Sequence, residues 1–223
     1  MHKLFLPIIL FVLSICCMAQ TSQTVHYYKD QYLRKEVQKG KASFSETITK
    51  TEDTITTEVK DIKNNKVIRS ESYKGEEPVG IWIIQTGDDI MQLDYNFTVV
   101  YSDDSCTTIP GMVIIDYFHD NDSIHYVAPK IKNGQMSVIK FILNNVLYPE
   151  SAKRKWLQGM STILFTITAD GHIENIRAGK GSNIVFDKEA IRVIKLISLL
   201  SPATLNGETQ SICVKQKIKF NLM

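Results

Sequence analysis

The sequence predicts an α+β protein. A β-rich antiparallel hairpin region is followed by a smaller domain with two helices packed on a three-stranded antiparallel sheet. Three observations carry this. Apolar and polar residues alternate with period two in several stretches of the first half, the mark of strands with one buried face. Just after Asn133-Gly134 the apolar spacing lengthens to about 3.6 residues, the helical period. Beyond Met160, strand and helix patterns follow one another, set off by the turn pairs Asp170-Gly171 and Asn206-Gly207. The composition, 43% hydrophobic and 22% charged, is that of an ordinary folded chain. A formal net charge of +2 gives no reason to expect nucleic acid as a partner.

Residues 1–19 stand apart. His2 and Lys3 precede an uncharged run from Leu4 to Ala19. The run is short for a membrane span, which needs ~20 apolar residues, and suits the core of a signal peptide. Cys17-Met18-Ala19 places small residues at the −3 and −1 positions, so cleavage after Ala19 and export are expected. Cys16 and Cys17 raise the possibility of lipid attachment, although Ile15 is large for the position upstream of such a cysteine. Membrane association is expected only if the leader is retained or lipidated. The mature chain then keeps two cysteines, Cys106 and Cys213. An oxidising compartment permits a disulfide between them, with two unlinked thiols as the alternative. Two sulfurs without CxxC spacing do not make a metal site.

Residues 20–130 read as hairpins. Phe44 and Ile48 fit one short strand and Ile55 to Val59 another. Asn64-Asn65 falls where a turn to Val67-Ile68 belongs. Gly75 and Gly80 bracket a turn before Ile81-Trp82-Ile83-Ile84. The longest alternation is Met91, Leu93, Tyr95, Phe97, Val99 and Tyr101, which predicts a single long strand. Gly111 to Ile115 reads as a further strand. Asp116, His119, Asp120, Asp122 and His125 then cluster, either as metal ligands or as a polar turn; the spacing matches no EF-hand or HExxH pattern, and no metal is assigned. Ser72-Tyr73-Lys74-Gly75, Pro78-Val79-Gly80-Ile81-Trp82 and Leu93-Asp94-Tyr95 together resemble one unit of the MORN-like hairpin repeats of exported bacterial proteins. In that family the aromatic and Gly positions are structural.

Pro129 and Gly134 mark a junction between the two regions. Residues 137–223 form the second. Val138, Phe141, Ile142 and Val146 predict a helix opened by Ser137. Pro149 starts another, of about ten residues, with Lys155-Trp156 inside it and Gly159 as its stop. Ile163, Phe165 and Ile167 share one face of a strand, and Ile176 and Ala178 lie on its hairpin partner. Phe186, Ala190, Val193, Ile194 and Ile197 form one face of a helix over Val185–Leu199. Asp187 and Glu189 in its first turn favour the helix dipole. In the last strand Ile212, Val214, Ile218 and Phe220 face inward; Cys213, Lys215, Lys217 and Lys219 face outward.

Tyr148-Pro149, Ala152, Gly159, Phe165, Asp170-Gly171, Phe186-Asp187-Lys188-Glu189-Ala190, Pro202, Asn206-Gly207 and Ile218-Lys219-Phe220 resemble, in order and spacing, the TonB C-terminal domain. The resemblance covers about residues 137–222. It departs at Leu200-Ser201-Pro202, where the family commonly has a Trp before the Pro. The resemblance implies a periplasmic domain that binds an extended segment of an outer-membrane TonB-dependent receptor. The physical route would be β-strand addition, for which an open sheet edge is needed. By position, Ser211, Ile212, Cys213, Val214, Lys215, Gln216, Lys217, Ile218 and Lys219 form the candidate edge strand. The lysines could equally guard that edge against aggregation. The family's energy transducers resemble an anchor and a long Pro-rich spacer ahead of this domain; neither is read here. No motif of an enzyme is present and no cofactor is implied. The alternative to a receptor-binding protein is a structural protein of the envelope, with a second copy of the chain as its partner through the open edge.

Overall fold

The computed structural model describes residues 21–102, 106, 113–114, 125–131, 136–198 and 200–222. The expected leader lies outside the described residues, as do Asp116, His119, Asp120 and Asp122. Among the described residues, no helix is long and apolar enough to cross a membrane.

The first half is a six-stranded antiparallel meander in sequence order: β1 (Ser22–Tyr28), β2 (Phe44–Lys50), β3 (Thr54–Asp61), β4 (Lys66–Lys74), β5 (Glu77–Thr86) and β6 (Asp89–Asp94). The Asn64-Asn65 turn joins β3 to β4, with Asn65 at φ 52°. Gly80 lies within β5 rather than bracketing a turn before it. It sits where the β4–β5 register shifts between Ser70 and Ser72, so a bulge rather than a chain reversal uses it. One face of the sheet carries an aromatic cluster. Trp82 lies between Tyr73 and Tyr95, with ring centroids 4.9 and 4.6 Å away. Its indole N–H donates to the carbonyls of Ser72 and Val79, so burial leaves no donor without a partner.

The long strand expected over Met91–Tyr101 is divided. β6 ends at Asp94, whose carboxylate accepts from the Asn96 N–H at 2.8 Å. Pairing resumes only at β7 (Tyr101–Ser102). Leu93, Tyr95 and Val99 are nonetheless buried. Alternation reports which side chains face a core, not which strand supplies the hydrogen bonds. The change of strand partner falls after Asp94. Residues between Asp94 and Gly134 add four short strands to the second half. These are β7, β8 (Val113–Ile114), β9 (Tyr126–Val127) and β10 (Lys130–Ile131).

The second half opens with α1 (Val138–Asn145), capped by Ser137, which accepts from the Lys140 N–H. α2 (Glu150–Arg154) has only five residues. The expected ten-residue helix stops early because Trp156 takes φ 54° and turns the chain; Trp156 is exposed. Gly159 is not its stop but the first residue of β11 (Gly159–Ile167). A Cβ there would lie 3.1 Å from the Phe186 ring, so close packing explains that glycine. β12 (Ile173–Gly179) returns through the Asp170-Gly171 turn. α3 (Ile184–Lys195), capped by Asn183, packs on β11 and β12. Then follow β13 (Leu200–Ser201), β14 (Ala203–Leu205), β15 (Glu208–Gln210) and β16 (Ile212–Phe220). Asn206-Gly207 is the β14–β15 turn, so a short hairpin precedes the last strand.

The main sheet has the order β7-β12-β11-β16-β8. Its three long strands are antiparallel, as expected; β7 and β8 join parallel at the two sides, making five. The core fills from both layers: Ile163, Phe165, Phe186, Ala190, Ile194, Ile212 and Phe220 are almost fully buried. Phe186 and Phe220 stack at 4.5 Å, and Tyr148 meets both edge-on. At the site where the family commonly has Trp, Leu200 is buried and its N–H donates to the Gly171 carbonyl.

Candidate functional site

The candidate edge strand is β16. On one side it pairs with β11 along its whole length, from Ile212↔Ile167 to Phe220↔Gly159. On the other side β8 pairs only with Ile212 and Cys213. From Gln216 to Phe220 no described strand runs along that side. Such an edge can accept an extended segment through backbone hydrogen bonds.

The expected side-chain directions need one correction. Ile212, Ile218 and Phe220 are buried and Val214 is half-buried, on the inward side. Lys217 and Lys219 are exposed and Lys215 is half-buried. Cys213, expected to face outward into solvent, is buried. It is covered because its sulfur is bonded to that of Cys106, the two Cα atoms being 5.7 Å apart, and both pack on Leu164. Ser211 precedes the strand and accepts from the Ala169 N–H at 3.1 Å. The Gln216 side-chain amide donates to the Lys217 carbonyl at 2.8 Å.

A cleft of about 260 Å³ adjoins this edge. Val138 and Ile139 at the start of α1 form one wall, and Ile212, Val214 and Gln216 of β16 another. Ile139 is half exposed. Apolar walls beside an open strand edge are the arrangement in which an added strand sends alternate side chains into a pocket.

The residues that sequence reasoning misread lie on α3. Asp187, Lys188, Glu189 and Arg192 are all buried. Asp187 lies in the first turn, as expected, and both it and Glu189 are covered by other parts of the chain. Glu189 accepts from the Tyr95 hydroxyl at 2.6 Å and the Leu147 N–H at 2.7 Å. Arg192 binds it through two nitrogens, at 2.7 and 2.6 Å, and also donates to the Asn145 carbonyl. Asp187 accepts from Ser161, Ser182 and Tyr101. Lys188 pairs with Glu77 at 2.8 Å and donates to the carbonyls of Tyr95 and Phe97. Buried charges persist where partners satisfy them, and here each has several.

The titration of these groups follows from their surroundings. Burial pushes the Asp187 carboxyl above its usual range, although its three hydroxyl donors oppose the shift. Burial and the neighbouring Asp187 charge push the Tyr101 phenol up to about 12. Burial pushes the Tyr95 phenol upward too, with the Glu189 carboxylate adding to it. The network bonds one half of the chain to the other. The sequence signal for it was weak: tyrosines on the alternating stretch Tyr95–Tyr101 are aromatic residues with a polar end, but their partners lie 94 and 86 residues away.

His125, the one described member of the Asp/His cluster, donates its N–H to the Asn206 side-chain oxygen, and its carbonyl accepts from the Asn206 N–H. Among the described residues, no group of three or more His, Cys, Asp and Glu is placed to hold a metal.

Residues 144–222 match the family model described as Gram-negative bacterial TonB protein C-terminal. No protein in the curated set matches the chain.

Proposed function

We propose, from the TonB C-terminal domain carried by residues 144–222, that this protein binds an extended segment of an outer-membrane receptor in TonB-linked transport across the envelope. The domain's family is envelope-associated and interacts with outer-membrane receptors. On this reading the chain is exported, loses residues 1–19, and acts in the periplasm without a catalytic role or cofactor. Its hairpin region, with MORN-like character, is a partner module fused to the receptor-binding domain.

One observation carries the site: β16 is paired along one side by β11, while Gln216–Phe220 has no described strand on the other. The incoming segment adds there as a strand. Its apolar side chains enter the cleft between Ile139 and Val214, and acidic ones meet Lys217 and Lys219. The stretch with no described strand beside it, Gln216–Phe220, spans about 17 Å at ~3.4 Å per residue.

The test uses the whole mature chain and synthetic peptides from the periplasmic N-terminal segments of outer-membrane receptors. Each peptide is made with a single backbone N-methyl group moved along its length. Strand addition presents every second N–H to β16, so affinity should fall at alternate positions. A flat response to N-methylation, or no binding by any receptor peptide, would refute the assignment. If the chain associated only with itself, an envelope-assembly role would take its place.

A further inference from the structure

We propose that the free edge of β1 binds a second copy of this chain, strand against strand about a two-fold axis. β1 pairs with β2 along its whole length, from Ser22↔Lys50 to Tyr28↔Phe44, without a register shift. It is the outermost strand of the meander. On its other side Tyr28 makes an isolated bridge to Glu36. Among the described residues, no strand runs beside Ser22–His26 there.

The direction of the backbone groups follows from that bridge. The Val37 N–H donates to the Tyr27 carbonyl at 2.8 Å, and the Lys29 N–H to the Lys35 carbonyl at 3.2 Å. Tyr27 therefore turns its backbone groups away from β2. Direction alternates along a strand, so Gln23 and Val25 turn theirs the same way. Both residues are exposed, and an added strand reaches their N–H and C=O groups directly.

Charge selects a second copy as the occupant. An edge that pairs with itself sets like residues near one another, and like charges opposite each other are destabilising. Soluble proteins blunt their edges with charged residues, Pro or bulges. β16 carries Lys215, Lys217 and Lys219, and β6 begins with Asp89 and ends with Asp94. β1 reads Ser-Gln-Thr-Val-His-Tyr-Tyr, without Lys, Arg, Asp, Glu or Pro. His26 Nδ1 lies 3.0 Å from Glu36 Oε1 of its own chain. Val, Thr and Tyr favour strands, and Val25 is 42% exposed. Self-association is thereby assigned to β1 rather than to β16.

An axis through Thr24 sets Gln23 opposite Val25 of the second copy, and Val25 opposite its Gln23. Each pair exchanges both of its N–H···O bonds. Ser22 then faces His26 of the second copy, beyond which the Glu36–Val37 stretch already lies on the edge. The two meanders join into one sheet of twice the width. At ~4.8 Å per strand, the two β6 strands stand about 53 Å apart, with one second half at each end.

The test is sedimentation velocity of the mature chain from about 10 μM to about 1 mM. The mass should rise with concentration from monomer toward dimer. Val25→Pro removes an N–H that faces away from β2, so the β1–β2 ladder keeps its bonds. It should weaken the dimer about tenfold or more. Val25→Lys leaves the backbone alone and should weaken it too, by placing a charge on the edge; it decides the matter if Val25→Pro fails to fold. Thr24→Cys should oxidise to a covalent dimer faster than Ser22→Cys. Thr24 meets its own copy at the axis, as a non-hydrogen-bonded pair with Cα atoms about 4.5 Å apart. A monomer at every concentration overturns the proposal. So does a dimer that survives the Val25 substitutions, or equal cross-linking at Thr24 and Ser22. No receptor peptide is present, so these outcomes are independent of whether β16 binds one.

Discussion

Replacing Tyr95 with Phe removes one hydroxyl and almost no volume. That hydroxyl donates to Glu189 Oε2 at 2.6 Å, between the meander and α3, with both residues buried. Glu189 keeps Arg192 and the Leu147 N–H after the change, so no charge is orphaned. The loss is one hydrogen bond to a charged group, worth about 1.5–3 kcal/mol. Urea unfolding of the whole chain measures it. With a slope of about 2–3 kcal/mol/M, the midpoint should fall by roughly 0.5–1.5 M at unchanged slope. Glu189→Ala should cost more, about 3–5 kcal/mol, because Arg192 is then buried without its carboxylate. The transition should stay single in both variants, since Glu77–Lys188 and Glu76–Lys155 still join the two halves. A Tyr95→Phe effect under about 0.5 kcal/mol, the range of a surface change, would refute the claim that this hydroxyl ties meander to helix. Two separated transitions in the parent chain would refute the claim that the halves unfold together.

Further expectations concern other parts of the fold. Gly171 has φ +87°, and a Cβ there would lie 2.0 Å from the Leu200 carbonyl oxygen. Gly171→Ala should therefore destabilise by more than about 2 kcal/mol, read as a lowered melting temperature. Removing the disulfide with Cys106→Ser and Cys213→Ser should cost about 2–5 kcal/mol, because the bond closes a long loop in the unfolded chain; equal denaturation curves with and without reductant would count against this. For Asp187 the folded state raises the pKa, so the native protein binds the proton more tightly than the unfolded chain. Stability from this group is then full below the unfolded value near 3.8 and is lost as pH rises through the raised folded value. The unfolding free energy of the parent minus that of Asp187→Asn should accordingly fall from acid toward neutral pH; a rise would reverse the assignment.

Much of the fold was legible because the signals were local. Asp170-Gly171 gave the hairpin, and the Phe186, Ala190, Val193 and Ile194 spacing gave the buried stripe of α3. What was hidden depended on distant partners. β7 pairs parallel with Ala178 and Gly179, and β8 with Ile212 and Cys213; two-residue strands leave no periodicity to read. Asp187, Lys188, Glu189 and Arg192 are polar residues on a helix, and only partners distant in sequence, such as Tyr95, Tyr101, Ser161 and Asn145, make them interior. At the candidate edge, the lysine alternation on β16 was plain, but the burial of Cys213 was not, since Cys106 lies in another part of the chain.

The order of the meander also sets a distance. Its contacts with the second half come from β4, the β4–β5 turn, β5 and the stretch after β6: Glu71 with Arg154, Glu76 with Lys155, Glu77 with Lys188, Tyr95 with Glu189. β1 lies at the opposite edge of the sheet. Five interstrand steps of ~4.8 Å hold the first strand about 24 Å from the last. Whatever precedes Thr21 thus joins the molecule at the far side of a hydrogen-bonded plate. The sheet holds its first strand apart from β6, the edge that leads into the second half.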